Sequence, residues 1–160
     1  MPYEQMRRFL KNWLPVMVWV GVIFFGSTDL MSAEHTSRFI VPFLLWLKPD
    51  ISAETLASIN FIVRKCTHVG EYAILALLLL RAATLMTNSD RSIPILYVSV
   101  WGVCLFVAAT DEFHQTLVAS RGASVQDIMI DSSGAVLGLV IASIIGMSRS
   151  IRLEKTPADP

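Results

Sequence analysis

The stretch that decides the fold runs from Thr110 to Gly138 and reads TDEFHQTLVASRGASVQDIMIDSSGAVLG. It joins two apolar runs. Ionisable or amide side chains lie in the link between the two runs and at the end of each run that borders the link. These side chains are Asp111, Glu112, His114, Gln115, Arg121, Asp127 and Asp131. Burying charges at the ends of hydrophobic segments is costly, so the rest of the chain must supply partners for them.

The composition favours a membrane protein. Hydrophobic residues make up 54% of the 160-residue chain, charged residues only 16%, and the mean hydropathy is +0.57. A soluble domain has roughly a quarter of its residues charged, so we expect lipid to cover much of this surface. The 13 basic and 13 acidic side chains cancel, and this balance gives no indication of a nucleic-acid partner.

Four apolar segments are long enough to cross a bilayer, which takes about 20 residues as a helix. They cover approximately residues 9–27, 64–80, 93–109 and 124–147. The second is apolar only over residues 73–80, so it spans the bilayer only if its polar start, residues 65–72, also lies at membrane depth. The first follows a basic stretch, as the apolar core of a signal peptide does, but no small-x-small cleavage site follows it. We therefore interpret it as an uncleaved transmembrane helix, with Pro15 near its first turn, where a missing N–H is tolerated.

The region between the first two spans holds a shorter apolar patch, residues 39–47, which Pro42 interrupts. This patch is too short to span a bilayer as a helix, so we expect an interfacial or re-entrant segment. Residues 52–63 place apolar side chains at helical spacing and predict an amphipathic helix. We expect Asp50 or Ser52 to cap this helix, which leads straight into the second span.

These segments predict an all-α fold, a polytopic transmembrane helical bundle. It has four spanning helices, with the interfacial or re-entrant segment and the amphipathic helix in the first outer loop. The third span is expected to continue as helix through residues 111–118, and the fourth opens with the capping pattern Ser124-Val-Gln-Asp127. We expect a single membrane domain over residues 1–150 and a disordered cytoplasmic tail over residues 151–160.

Basic residues flank the cytoplasmic ends of membrane spans. In this chain they place both termini and the link between the second and third spans in the cytoplasm, and the loops 29–64 and 110–124 outside. The basic residues are Arg7, Arg8, Lys11, Arg81, Arg91, Arg149, Arg152 and Lys155. This topology brings the polar ends of the second, third and fourth spans together at the outer side of the membrane.

The second span contributes Lys65, His68 and Tyr72 to this outer end. They lie three and seven positions apart and share one helix face, whereas Glu71 points elsewhere.

The fourth span presents one continuous stripe. Asp131 lies one turn inside Asp127, and at this depth it needs a cationic or hydrogen-bonding partner or becomes protonated. The donors available to it are Lys65, His68 and Arg121. Continuing the same face inward gives Gly134 and Gly138, whose G-x-x-x-G spacing lets another helix approach closely.

Together these residues resemble the VanZ-like family of membrane proteins, over about residues 10–147. The resemblance rests on four motifs in this order: K-x-x-H-x-x-x-Y (Lys65, His68, Tyr72), D-E-x-x-Q (Asp111, Glu112, Gln115), R-x-x-S-x-x-D (Arg121, Ser124, Asp127) and G-x-x-x-G (Gly134, Gly138). The family pattern leads us to expect Asn where this chain has Asp131, which adds an ionisable group to the site.

The resemblance implies a multi-pass protein of the bacterial cytoplasmic (inner) membrane. The namesake of the family is associated with low-level resistance to the glycopeptide antibiotic teicoplanin, so a role in antibiotic resistance is an expectation carried by the resemblance alone. We expect the partner to be a membrane lipid or a lipid-linked envelope precursor.

One hypothesis for the polar residues is an enzyme acting on a lipid-linked or cell-wall substrate at the outer face. His68 would be the general acid or base, and Asp111, Glu112 or Asp131 would orient it. Lys65 and Arg121 would bind a phosphate or carboxylate of the substrate. The remaining substrate-binding candidates are Tyr72, Gln115 and Asp127.

A second hypothesis is a non-catalytic binding or transporter-type protein, in which the same residues hold a headgroup or relay protons. A third is a buried network that only locks the helices together.

No cofactor is expected. A metal site built from His68, Glu112 and Asp127 matches no standard zinc motif. Cys66 and Cys104 have no disulfide or zinc spacing, and we interpret both as small buried residues.

Overall fold

The computed structural model describes residues 3–28, 33–86, 92–117 and 124–154. The described residues form five α-helices and contain no strand. The helices are α1 (Tyr3–Gly26), α2 (Ala33–Leu47), α3 (Ala53–Met86), α4 (Ile93–Gln115) and α5 (Val125–Glu154).

Four of these helices are long and apolar enough to cross a membrane. The candidate spans are Met6–Gly26, Ala53–Met86, Ile93–Gln115 and Val125–Gly146. Their outward surfaces carry large apolar side chains that are more than half exposed, such as Val98, Phe106 and Met129. Such a surface fits lipid better than water. The predicted all-α bundle with four spanning helices is confirmed.

Two prolines lie inside helices rather than at their boundaries. Helix α1 begins at Tyr3, well before the apolar run, so Pro15 lies in its middle and not near its first turn as we expected. Helix α2 passes through Pro42 without a break, and its 15 residues make it too short to be a span. A proline removes one backbone donor but keeps a helical φ angle, so the helix can continue on both sides of it.

Helix α3 is the longest element and contacts each of the other four helices. It begins at a cap, because the side-chain oxygen of Ser52 accepts the backbone N–H of Thr55 at 3.2 Å. The predicted amphipathic helix and the second span are therefore one continuous helix. Its 34 residues correspond to a length of about 51 Å at 1.5 Å per residue.

The main packing contact of the bundle joins α3 and α5. Gly134 and Gly138 on α5 lie directly on the backbone of α3. A Cβ atom at Gly134 would be 2.4 Å from the carbonyl oxygen of Val69, and one at Gly138 would be 2.4 Å from that of Ala73. Both distances are far inside van der Waals contact, so this close approach of the two helices requires glycine.

The core beside this contact is built largely of small residues. Ala76 and Ala82 of α3, Ala108 of α4 and Ala135 of α5 are fully buried, which keeps the helix axes close. Cys104 is buried among them as expected, but Cys66 is exposed, so the expectation for Cys66 was wrong. Cys66 follows Lys65 in the helix and so lies about 100° around its axis from the face that packs on α5.

Two helix ends differ from the sequence-based boundaries. Helix α4 ends at Gln115, whereas we expected it to continue to residue 118. Thr116 and Leu117 form a turn instead, and residue 118 lies outside the described residues. Helix α5 continues to Glu154, past the start of the predicted tail. Residues 155–160 lie outside the described residues.

We expect Gly134→Ala and Gly138→Ala to destabilise the protein, because each new methyl group meets the backbone of α3, which cannot rotate away. Overpacking costs roughly 1–3 kcal/mol in ordinary cores, and this contact is tighter. Thermal unfolding of the purified protein in detergent measures the effect. Gly102→Ala is the matched control, since nothing lies within 4 Å of a Cβ there. Equal melting temperatures for all three variants would contradict the packing assigned to α3 and α5.

Candidate functional site

Polar side chains gather at one end of the bundle. The carboxyl ends of α1 and α4, the first half of α3 and the amino end of α5 meet there. We name these side chains the polar cluster: Ser27, Lys65, His68, Tyr72, Asp111, Glu112, Gln115, Asp127 and Asp131. All six polar or charged residues that are buried within the described parts of the chain belong to it.

Two ion pairs connect α3 to α5. Lys65 Nζ contacts Asp127 Oδ1, and His68 Nδ1 lies 3.1 Å from Asp131 Oδ1. The first pair is partly exposed, with side-chain exposures of 19% and 12%, whereas the Asp131 side chain is completely buried. Lys65 also lies over the ring of Phe61, with Nζ 5.2 Å from the ring centroid. Of the two donors considered for Asp131 that lie among the described residues, His68 reaches it and Lys65 does not.

Asp111 connects α4 to α1. Its Oδ2 accepts a hydrogen bond from the hydroxyl of Ser27 at 2.7 Å and another from the side-chain amide of Gln115 at 3.1 Å. Ser27 is a member of the site that we did not predict. The signal in the sequence is a hydroxyl residue placed directly after the apolar run of the first span.

Glu112 connects α4 to the start of α5. Its Oε2 accepts the backbone N–H of Ser124 at 2.7 Å. The sequence pattern assigned this capping role to Asp127, but the carboxylate of Asp127 pairs with Lys65 instead. Glu112 of α4 therefore caps the start of α5 in place of Asp127, and the carboxylate of Asp127 contacts Lys65 of α3.

Some polar atoms of the cluster are buried without a partner. Among the described residues, Tyr72 Oη, Asp111 Oδ1, Glu112 Oε1 and Asp131 Oδ2 make no hydrogen bond. The four side chains are 0–2% exposed. They lie at the same end of the bundle, since Tyr72 follows His68 by one turn, His68 contacts Asp131 of α5, and Glu112 bonds the start of the same helix at Ser124. Buried polar groups normally have partners, so the cluster holds more hydrogen-bonding capacity than its own contacts use.

Other ionisable candidates lie beside the cluster or outside the described residues. Glu71 faces α1, where its Oε1 is 3.6 Å from the place that a Cβ of Gly26 would occupy, and the indole of Trp19 donates to its backbone oxygen at 2.9 Å. His114 packs edge-on against Phe24, with the ring centroids 5.9 Å apart. Arg121 lies outside the described residues.

No group of three or more His, Cys, Asp or Glu side chains is placed to hold a metal ion within the described segments. Of the set considered from the sequence, His68 contacts Asp131 and Asp127 contacts Lys65, while Glu112 accepts the N–H of Ser124.

A double-mutant cycle on Lys65 and Asp127 tests the contact between α3 and α5 at the outer edge of the cluster. We expect Lys65→Met and Asp127→Asn each to lower the free energy of unfolding, because each leaves a half-buried polar group without its partner. The double variant should lose less than the sum of the single losses, with a coupling of about 0.5–3 kcal/mol. Denaturation in mixed micelles measures it, and strictly additive losses would show that the two side chains do not interact.

The chain matches one known protein family over nearly the whole helical bundle. The family model described as VanZ/LLP1 matches residues 12–146, which runs from α1 to the end of the last candidate span and includes the whole polar cluster. Searches of curated proteins and of solved structures gave no match. Since the family model covers most of the chain and the four-span fold agrees with the resemblance noted in the sequence, this protein belongs to the VanZ/LLP1 family.

Proposed function

We propose that this membrane protein binds the polar headgroup of a cell-envelope component, a membrane lipid or a lipid-linked envelope precursor, in the polar cluster. The observation that carries the proposal is the set of buried polar atoms without partners on Tyr72, Asp111, Glu112 and Asp131. They come from three different helices and lie at one site. A ligand headgroup with hydrogen-bond donors would satisfy them.

A network that only locks helices together accounts less well for this arrangement. The contacts from Lys65, His68 and Ser27 do tie the helices to one another. However, interhelical hydrogen bonds in membranes contribute only about 0.6–2 kcal/mol each, and a structural network gains nothing from oxygens left unbonded. Ionisable groups within membrane spans mark functional sites by default.

Catalysis on the bound component is the second candidate, and the geometry of His68 favours it. Its Nδ1 contacts Asp131 Oδ1 at 3.1 Å, which fixes the ring and leaves Nε2 to exchange a proton with a substrate. Asp111 and Glu112 would act beside it as further proton-accepting groups. In this proposal Lys65, at the more exposed edge of the cluster, binds a phosphate or carboxylate together with Arg121.

A transporter-type role, in which the same residues relay a proton, is the alternative to a fixed headgroup site. It is favoured by Tyr72, whose buried hydroxyl has no partner among the described residues and lies one turn from His68 on α3.

We place the polar cluster at the outer face of the bacterial cytoplasmic membrane, with both termini in the cytoplasm. The basic residues that precede the first span and follow the second and fourth spans support this orientation. An outward-facing site also suits an envelope component and a role in teicoplanin resistance, which the family resemblance suggests.

Single cysteines at the two ends of α3 test the orientation. In a Cys66→Ala, Cys104→Ala background, we expect a membrane-impermeant maleimide to label Ala53→Cys in intact spheroplasts. Met86→Cys should react only after the membrane is permeabilised. Both positions are exposed and belong to the same helix, so each serves as the control for the other. The opposite labelling pattern would place the cluster in the cytoplasm.

Lipid binding by the purified protein tests the proposed function. We expect short-chain phospholipids with different headgroups to bind with different affinities, and Glu112→Gln to weaken the preferred one about tenfold or more, because a charge-assisted hydrogen bond contributes about 1.5–3 kcal/mol. Glu54→Gln is the matched control, since Glu54 is an exposed acid outside the cluster. Native mass spectrometry measures binding. Equal affinities for phospholipids with different headgroups, or an unchanged affinity in Glu112→Gln, would contradict the proposal.

The same preparation separates binding from catalysis. If the protein is an enzyme, the bound lipid or precursor is converted over time, and His68→Gln abolishes conversion while binding persists. A ligand that is bound and recovered intact from the wild-type protein supports binding alone.

A further inference from the structure

We propose that the inner part of the polar cluster, formed by Asp111, Glu112 and Tyr72, recognises a primary ammonium group. The inference rests on the proposed headgroup-binding function and names the chemical class of headgroup. It follows from the charge balance of the cluster, the position of one neutral hydroxyl and the hydrogen-bonding pattern of amines.

The charge balance differs between the two sides of the cluster. On α5, both acids have a basic partner on α3, Lys65 for Asp127 and His68 for Asp131. The acids of α4 are bonded differently: within the described residues they receive hydrogen bonds only from neutral donors. These donors are the hydroxyl of Ser27 and the amide of Gln115 for Asp111, and the backbone N–H of Ser124 for Glu112.

Two consecutive carboxylates in a membrane-embedded site attract a cation strongly when they are ionised. Asp111 is 0% exposed and Glu112 is 2% exposed, so water screens their charges little. Each also keeps one oxygen without a hydrogen-bond partner among the described residues, Asp111 Oδ1 and Glu112 Oε1. The α4 side of the cluster therefore has both the charge and the free acceptors for a cationic donor.

Tyr72 provides an observation that is independent of the two acids, because its side chain is a neutral hydroxyl and not a carboxylate. Its hydroxyl is fully buried and has no partner within the described part of the chain. Leaving a buried hydroxyl without a hydrogen-bond partner is unfavourable. Tyr72 follows His68 by one turn of α3, on the face that meets Asp131 of α5, so its hydroxyl adds a buried acceptor at the same end of the bundle as the two carboxylates of α4.

A primary ammonium group matches this set of acceptors. It carries three N–H donors and no acceptor, and the inner cluster offers Asp111 Oδ1, Glu112 Oε1 and Tyr72 Oη. A phosphate or carboxylate in the same place would bring only acceptors and would be repelled by both acids. A quaternary ammonium would bring charge without any N–H donor.

The position of Lys65 extends the match to a zwitterionic headgroup. Its side chain is 19% exposed, so the cation of the cluster lies at the rim and the acceptors lie inside. A headgroup that inserts its ammonium first would leave its phosphate near Lys65. Aminophospholipids have this order of charges, with the amine at the end of the headgroup and the phosphate next to the glycerol.

Binding of matched lipids to the full chain in detergent tests the inference. The probes are dioctanoyl phosphatidylethanolamine and its N-acetyl derivative, which keeps the phosphate and both chains but has no charge on nitrogen. We expect the amine form to bind at least tenfold tighter to the wild-type protein. Asp111→Asn, Glu112→Gln and Tyr72→Phe should reduce this ratio, while Glu54→Gln should keep it. O-phosphoethanolamine, which lacks acyl chains, shows whether a soluble amine suffices.

The outcomes separate this inference from the proposed function. Equal affinities for the two lipids would overturn ammonium recognition and leave headgroup binding standing if other headgroups are still discriminated. Absence of binding by any lipid or by O-phosphoethanolamine would overturn both. Tight binding of O-phosphoethanolamine would support ammonium recognition with a soluble ligand in place of a lipid. The lipid comparison uses the wild-type protein, so a variant that fails to fold does not affect it.

Discussion

The close approach of α5 to α3 at Gly134 and Gly138 is the constraint on which the rest of the structure depends. With hydrogen in place of a side chain at both positions, α5 lies directly on the backbone of Val69 and Ala73. One turn further along the same face, this spacing lets a short aspartate on α5 reach His68 on α3. A wider separation of the two helices would leave Asp131 buried without a base, which is costly inside a membrane.

The same contact divides the polar cluster into two chemically different halves. Between α3 and α5 each acid has a basic partner, and these pairs stabilise the helix interface that the glycines create. On α4, Asp111 and Glu112 are held in place by neutral groups and retain acceptor oxygens. Acids that are positioned by hydrogen bonds, with no cation beside them among the described residues, are suited to a ligand or a mobile proton. The pairs between α3 and α5 therefore stabilise the helix interface, while the proposed ammonium recognition depends on the remaining oxygens of Asp111 and Glu112.

Much of this architecture could be predicted from the sequence, because membrane spans and helix faces are set by local patterns. The four apolar segments, the shared face of Lys65 and His68, and the glycine stripe on α5 all follow from composition and spacing. The pairing within the cluster could not be predicted, since it depends on how each helix is rotated about its axis. The choice of His68 for Asp131, the bond from Ser124 to Glu112 and the contribution of Ser27 are all of this kind.

Helix α3 is longer than the thickness of the hydrocarbon core of a bilayer. Its 34 residues extend about 51 Å, whereas the hydrocarbon core of a bilayer is about 30 Å thick. The helix must therefore be tilted in the membrane, or about 20 Å of it must extend beyond the lipid tails. Lys65 lies about 18 Å along the axis from Ala53, soon after the exposed apolar side chains of Phe61, Ile62 and Val63. How deeply the polar cluster lies in the membrane therefore depends on the tilt of α3 and on the thickness of the bilayer, and through that thickness on the lipid composition.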